Sequence, residues 1–176
     1  ALLTVLEALK LQTIQDFEVC IADDGSTKDT QQIIENFQQQ SAFPILHAWQ
    51  DDRGFRAASA RNNAVRMSSG DYLLFLDGDC IPRPNWIQQH LALSEKHAFV
   101  AGNRVLLDEM LSHAIETHRI SFTDLFGLNV LRHKEHINRL IPLLKIPLGS
   151  MRKLKPTSWA KVRTCNLGVW RQDFLA

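Results

Sequence analysis

The chain has 176 residues, 45% hydrophobic, 22% charged and 8% aromatic, with a formal net charge of +1 at pH 7. These values exclude a disordered, collagen-like or disulfide-framework protein and match one domain with a real core. Apolar runs are broken by Lys, Gln, Arg or Asp well short of the roughly 18–20 residues a membrane helix needs, so no spanning segment is expected.

The small net charge conceals an asymmetry. Residues 1–131 carry a net charge of −7, whereas residues 132–163 carry nine Lys/Arg against Glu135 alone, a net of +8. A basic segment on an acidic body favours a polyanionic partner or an anionic membrane surface. Cys20, Cys80 and Cys165 stand too far apart in sequence for a disulfide scaffold or a paired-Cys zinc site, and their apolar neighbours suggest buried free thiols in a reducing compartment. His113, His118, His133 and His136 lack the carboxylate or Cys spacing of a zinc site.

Leu2, Val5, Leu6 and Leu9 fall at helical spacing and predict an amphipathic helix over 1–12. Phe17 to Ala22 reads as a strand running into Asp23-Asp24-Gly25-Ser26, after which Ser26 or Thr27 can cap a helix whose buried face is Ile33, Ile34 and Phe37. Ile45 to Trp49 is a second strand, and the Ala- and Arg-rich stretch 56–67 is a helix stopped by Ser68-Ser69-Gly70. Tyr72 to Leu76 is an apolar run of strand length ending at Asp77-Gly78-Asp79. A helix over 85–97, a strand over 99–107 and a helix over 108–118 follow. Residues 121–158 read as short helices and a basic loop, and 159–170 as a final strand. Alternating helix and strand predict an α/β domain, 1–176, with a mainly parallel sheet; 1–107 form one half and 108–176 the other.

In open α/β sheets ligands bind beyond the carboxyl ends of strands, where Asp23-Asp24 and Asp77-Gly78-Asp79 both fall. Two carboxylates around one Gly can share a hard divalent cation that also holds phosphate oxygens. A turn and helix-capping role for Asp23 and Asp24, and a solvated-charge role for Arg56 and Arg61, are the alternatives.

Phe17 through Thr30, Gly54 through Asn63, Gly70 through Asp79 and Thr164 through Arg171 together resemble the nucleotide-sugar-binding domain of family 2 glycosyltransferases, the GT-A fold. The resemblance implies a Rossmann-like, mainly parallel sheet flanked by helices. It implies an inverting, metal-dependent transfer of a sugar from a nucleoside diphosphate sugar, with a UDP-sugar favoured, to a glycan or lipid-linked acceptor hydroxyl. Asp23, Asp24, Arg56, Arg61, Asp77 and Gly78 then match donor-binding positions, Asp79 and Asp77 match the positions that hold Mn²⁺ or Mg²⁺, and Asn166 and Trp159 lie on the acceptor side.

Within the family the match is most similar to bacterial enzymes of surface polysaccharide or lipopolysaccharide synthesis. That implies a cytoplasmic protein, peripheral at the inner membrane face through segment 132–163, with no nucleic-acid partner. The family's first strand and its catalytic base have no counterpart between Ala1 and Ala176; the base is expected after Ala176. A nucleotidyltransferase or a non-catalytic nucleotide- or carbohydrate-binding module are the alternative readings.

Overall fold

The computed structural model describes residues 1–140 and 162–176. Helix α1 (Leu2–Lys10) buries Val5, Leu6, Ala8 and Leu9, the face its spacing marks out. Strand β1 (Val19–Asp23) follows, then α2 (Lys28–Gln38), β2 (Ile45–Trp49), α3 (Ala57–Met67) and β3 (Tyr72–Leu76). The second half adds α4 (Trp86–Leu93), β4 (Phe99–Ala101), α5 (Glu109–Glu116), two 3-10 segments (Phe122–Leu125 and Gly127–His136), β5 (Asn166–Trp170) and α6 (Arg171–Leu175).

Strands β1 and β2 pair in parallel from Val19 opposite Ile45 to Asp23 opposite Trp49, as a helical crossover requires. The other sheet has the order β3-β5-β4, with β5 antiparallel to both neighbours. The α/β architecture with parallel strands and flanking helices is therefore present. The added feature is β5, which arrives from far along the chain and inserts between two strands that run in a common direction. Among the described residues no ladder joins β1 to β3.

Several element boundaries differ from the sequence-based expectation, among them the helix expected over 85–97, which ends at Leu93. The strand expected over 99–107 stops at Ala101 because Asn166 reaches across at Gly102: a Cβ there would sit 2.1 Å from the Asn166 Nδ2. The final strand begins at Asn166, and the part expected over 159–161 lies outside the described residues. The α2 N-cap is Thr27, one of the two residues expected, but its side chain makes no cap hydrogen bond, and the Ser26 hydroxyl turns back to Asp23.

The core has two parts. Val5, Leu6 and Leu9 of α1 pack with Ile34 and Phe37 of α2, with Phe43 and with Ile45 of β2. Leu111 and Ile115 of α5 pack with Val130 and Ile137. Two side chains lock the outer edges: Arg171 donates to the carbonyls of Val65, Ser68 and Gly70, and Glu18 accepts from the Ser69 and Gly70 amides. These contacts hold the loop between α3 and β3, and so fix where β3 starts and where its carboxyl end delivers Asp77.

Candidate functional site

The turn after β1 is organised by Asp23. Its carboxylate accepts from the Ser26 amide at 2.8 Å, the Ser26 hydroxyl at 2.5 Å and the His47 Nε2 at 2.7 Å. Asp23 is 7% exposed. Burial alone raises its carboxyl pKa, but the Ser26 donors and His47 outweigh burial and hold it below the usual carboxylate value. Gly25 follows at φ +91°, with a would-be Cβ 2.5 Å from the Asp52 Cα, so the tight turn admits only glycine.

Asp24 points the other way. Its carboxylate accepts from Gln50 Nε2 at 2.6 Å and from the Arg56 amide at 2.5 Å, and these two with the Arg56 charge lower its pKa against partial desolvation. Gln50 in turn accepts from Ser59 Oγ at 3.0 Å and Asn63 Nδ2 at 2.9 Å. It therefore ties the turn to the first two turns of α3. The Arg56 guanidinium donates to the Asp51 carbonyl, while its buried Nε lies 4.0 Å from Asp24 Oδ1 with no hydrogen-bond partner.

Helix α3 carries the second basic residue to the second acidic loop, where Arg61 lies 3.4 Å from Asp77 Oδ1. Arg104 lies 3.9 Å from Asp77 Oδ2, and its buried Nε is also unpartnered. Two guanidinium groups thus flank one carboxylate. Asp79 and Gly78 are exposed; Asp79 Oδ1 receives the Cys80 thiol at 3.5 Å, and the nearest atom to a Cβ on Gly78 would be a Leu2 methyl at 4.0 Å.

The three cysteines are free, as expected, but only Cys165 is buried; Cys20 and Cys80 are half-buried. Cys80 turns back so that its amide meets the Asp77 carbonyl at 3.0 Å, and the β3–β5 register, ending at Leu76 opposite Asn166, brings Cys165 opposite Asp77. The candidate ligand atoms of Asp77, Cys80 and Cys165 all lie within 4.8 Å of one another. Burial pushes the Cys80 thiol up to about 12, with the Asp79 charge adding to it, so a free Cys80 is no nucleophile near neutrality. The four histidines set aside on sequence stay apart from this group, and His136 pairs with Asp108 at 2.7 Å.

Asn166 opens β5 inside a brace. Its Oδ1 accepts from Trp86 Nε1 at 2.9 Å and His90 Nε2 at 2.8 Å, and its Nδ2 donates to the Asn103 carbonyl at 2.8 Å. Burial lowers the His90 pKa, consistent with a neutral ring whose Nε2 carries the proton. Asn166, Asp79, Cys80, Arg104 and Cys165 line one cavity of about 650 Å³, walled also by Trp86 and His90. Trp159 lies outside the described residues, as does segment 141–161 of the basic stretch.

The expected site residues therefore gather in two linked groups: Asp23, Asp24 and Arg56 at the end of β1, and Arg61, Asp77, Gly78 and Asp79 at the end of β3. Gln50, His47, Arg104 and the Cys80–Cys165 pair were not singled out by sequence. Only Cys80, next to Asp79, carried a local signal.

Strand-end carboxylates are thus joined through one Arg- and Asn-bearing helix in an α/β domain. The chain belongs to glycosyl transferase family 2, whose family model matches residues 1–154. It is 36% identical over 100 residues to a validoxylamine A glucosyltransferase of Streptomyces hygroscopicus subsp. jinggangensis, covering 57% of this chain and 22% of that protein. It is 35% identical over 82 residues to a chondroitin synthase of Escherichia coli, covering 47% and 12%. To a hyaluronan synthase of Pasteurella multocida it is 33% identical over 99 residues, covering 55% and 10%. The chain thus spans between about a tenth and about a fifth of the length of these relatives. Among the described residues no helix is long and apolar enough to cross a membrane.

Proposed function

We propose that the protein carrying this chain transfers a sugar, with inversion, from a nucleoside diphosphate sugar to a hydroxyl of a glycan or lipid-linked acceptor in polysaccharide synthesis. The observation that carries the reading is the gathering of strand-end carboxylates and guanidiniums: Asp24 with Arg56 beyond β1, joined through α3 and Arg61 to Asp77-Gly78-Asp79 beyond β3. Guanidiniums beside strand-end carboxylates suit a phosphate-bearing ligand, whose oxygens accept charge-assisted hydrogen bonds. The named relatives, a validoxylamine A glucosyltransferase, a chondroitin synthase and a hyaluronan synthase, support the same reaction class.

The residues divide the work. Asp23 is spent on the turn through Ser26 and His47, and its role is to hold the loop. Asp24 keeps unused lone pairs and faces the base of the nucleotide, a uracil in the favoured donor. Arg61 and Arg104 fix the Asp77 carboxylate, and Gly78 leaves room for the ribose and diphosphate.

The oxygen-only donor set of exposed Asp79 with Asp77 fits a hard cation, so these two would hold Mn²⁺ or Mg²⁺. When bound, that ion neutralises charge developing on the departing nucleoside diphosphate. Asn166 and the adjoining cavity form the acceptor side. Exposed Leu128 and Leu131 lead into exposed Arg132 and Lys134, which begin the basic stretch that would meet an anionic membrane surface from the cytoplasmic face.

The test is to incubate the full-length protein with a panel of nucleotide sugars and measure nucleoside diphosphate release. Release from one donor, raised by an acceptor, is the expected result. Release from none contradicts the transferase reading and favours a binding module.

A further inference from the structure

We propose that Asp77, Cys80 and Cys165 form a binding site for a thiophilic divalent ion of the Zn²⁺ class, separate in chemistry from the oxygen-ligand site at Asp79. The three candidate ligand atoms lie within 4.8 Å of one another. A tetrahedral Zn²⁺ with Zn–S bonds of about 2.3 Å needs its sulfurs roughly 3.8 Å apart, within reach of small χ1 changes.

The backbone, not chance side-chain placement, makes this cluster. The turn bond from the Cys80 amide to the Asp77 carbonyl, 3.0 Å, folds Cys80 back over Asp77. The ladder pairing Leu76 with Asn166 carries Cys165 to the position opposite Asp77. Ligands 85 residues apart in sequence are thereby anchored by hydrogen bonds that exist without any metal.

Charge and access agree with an ion. Two thiolates and a carboxylate carry −3, so a divalent ion leaves −1, which the Arg61 and Arg104 guanidiniums, 3.4 and 3.9 Å from the Asp77 carboxylate, offset. Binding releases the two thiol protons to solvent and involves no redox change. Cys80 and Cys165 both face the 650 Å³ cavity, which leaves the fourth coordination position to water or to a ligand oxygen. Thiolate sulfur selects Zn²⁺ over Mn²⁺ or Mg²⁺, whereas Asp79 has only oxygen to offer. A further consequence rests on the proposed transferase reading: an ion held here draws Asp77 away from the donor, so Zn²⁺ would antagonise Mn²⁺-supported turnover.

Co²⁺ titration of the full-length protein, kept reduced with a phosphine, tests the site without any donor or turnover. The expected result is a thiolate charge-transfer band in the near ultraviolet that saturates at one Co²⁺ per chain and is displaced by Zn²⁺. Cys80→Ser and Cys165→Ser each should weaken Co²⁺ binding more than about 100-fold, beyond the 10–100-fold typical of residues behind a ligand. Cys20→Ser, on β1, should leave the band intact. If Cys165→Ser does not fold by circular dichroism, Cys80→Ser and Asp77→Asn decide. Absence of the band in the parent protein, or its survival in Cys80→Ser, overturns the proposal; loss of the band in Cys80→Ser with Cys20→Ser unaffected supports it. Because absorption is read without substrate, this outcome is independent of whether sugar transfer is observed.

Discussion

Replacing Asn166 by Ala tests whether this residue braces the fold or serves only an acceptor. The side chain makes three hydrogen bonds, accepting from Trp86 Nε1 and His90 Nε2 and donating to the Asn103 carbonyl, all between 2.8 and 2.9 Å. Each neutral bond contributes about 1 kcal/mol. Truncation also strands the two ring N–H groups, although water in the adjoining 650 Å³ cavity can partly restore them. The expected loss is about 2–4 kcal/mol, or a fall in Tm of about 5–15 °C for a domain of this size. Thermal unfolding followed by circular dichroism measures it. A Tm within about 2 °C of the parent would refute the brace, and a loss confined to transfer rate would place Asn166 on the acceptor alone.

Leu6→Ala should cost about 2–5 kcal/mol in urea unfolding, because Leu6 is 1% exposed at the centre of the α1–α2–β2 cluster. Gly25→Ala should destabilise by more than about 1 kcal/mol and weaken nucleotide binding, since a Cβ at φ +91° meets the Asp52 backbone at 2.5–2.6 Å; unchanged stability would show that the turn can open. The Asp23 carboxyl is lowered in the fold, so its contribution is present above the unfolded carboxylate pKa of about 3.9 and is lost as pH falls through the folded value. Urea midpoints should therefore drop below about pH 4, and Asp23→Asn should flatten that drop; an equal acid dependence in both proteins contradicts the assignment.

What the sequence showed plainly was local. Helix α1 follows from the apolar spacing of Val5, Leu6 and Leu9, and both acidic loops follow from apolar strands ending at Asp23 and Asp77. Pairing between distant segments was not legible. Nothing near Asn166 announces that β5 inserts between β3 and β4, and without that register Cys165 has no visible relation to Cys80. Ser26 illustrates a competition that local reading leaves open: Ser26 and Thr27 both suit the N-cap position, and Thr27 takes it while the buried Asp23 carboxylate offers the Ser26 hydroxyl a charged acceptor at 2.5 Å. Arg104 sits in an irregular stretch after β4, where neither periodicity nor turn chemistry marks a residue that will reach Asp77.

The central claim is that Asp24, the flanking arginines and Asp77-Gly78-Asp79 form a cation-assisted site for a nucleoside diphosphate. Isothermal titration of the full-length protein with UDP, with and without Mn²⁺, addresses it most directly. Mn²⁺ should tighten UDP binding by at least about tenfold, roughly 1.4 kcal/mol, and Asp79→Asn should abolish this gain while retaining metal-free binding. UDP affinity indifferent to Mn²⁺, or a gain that survives in Asp79→Asn, would contradict it.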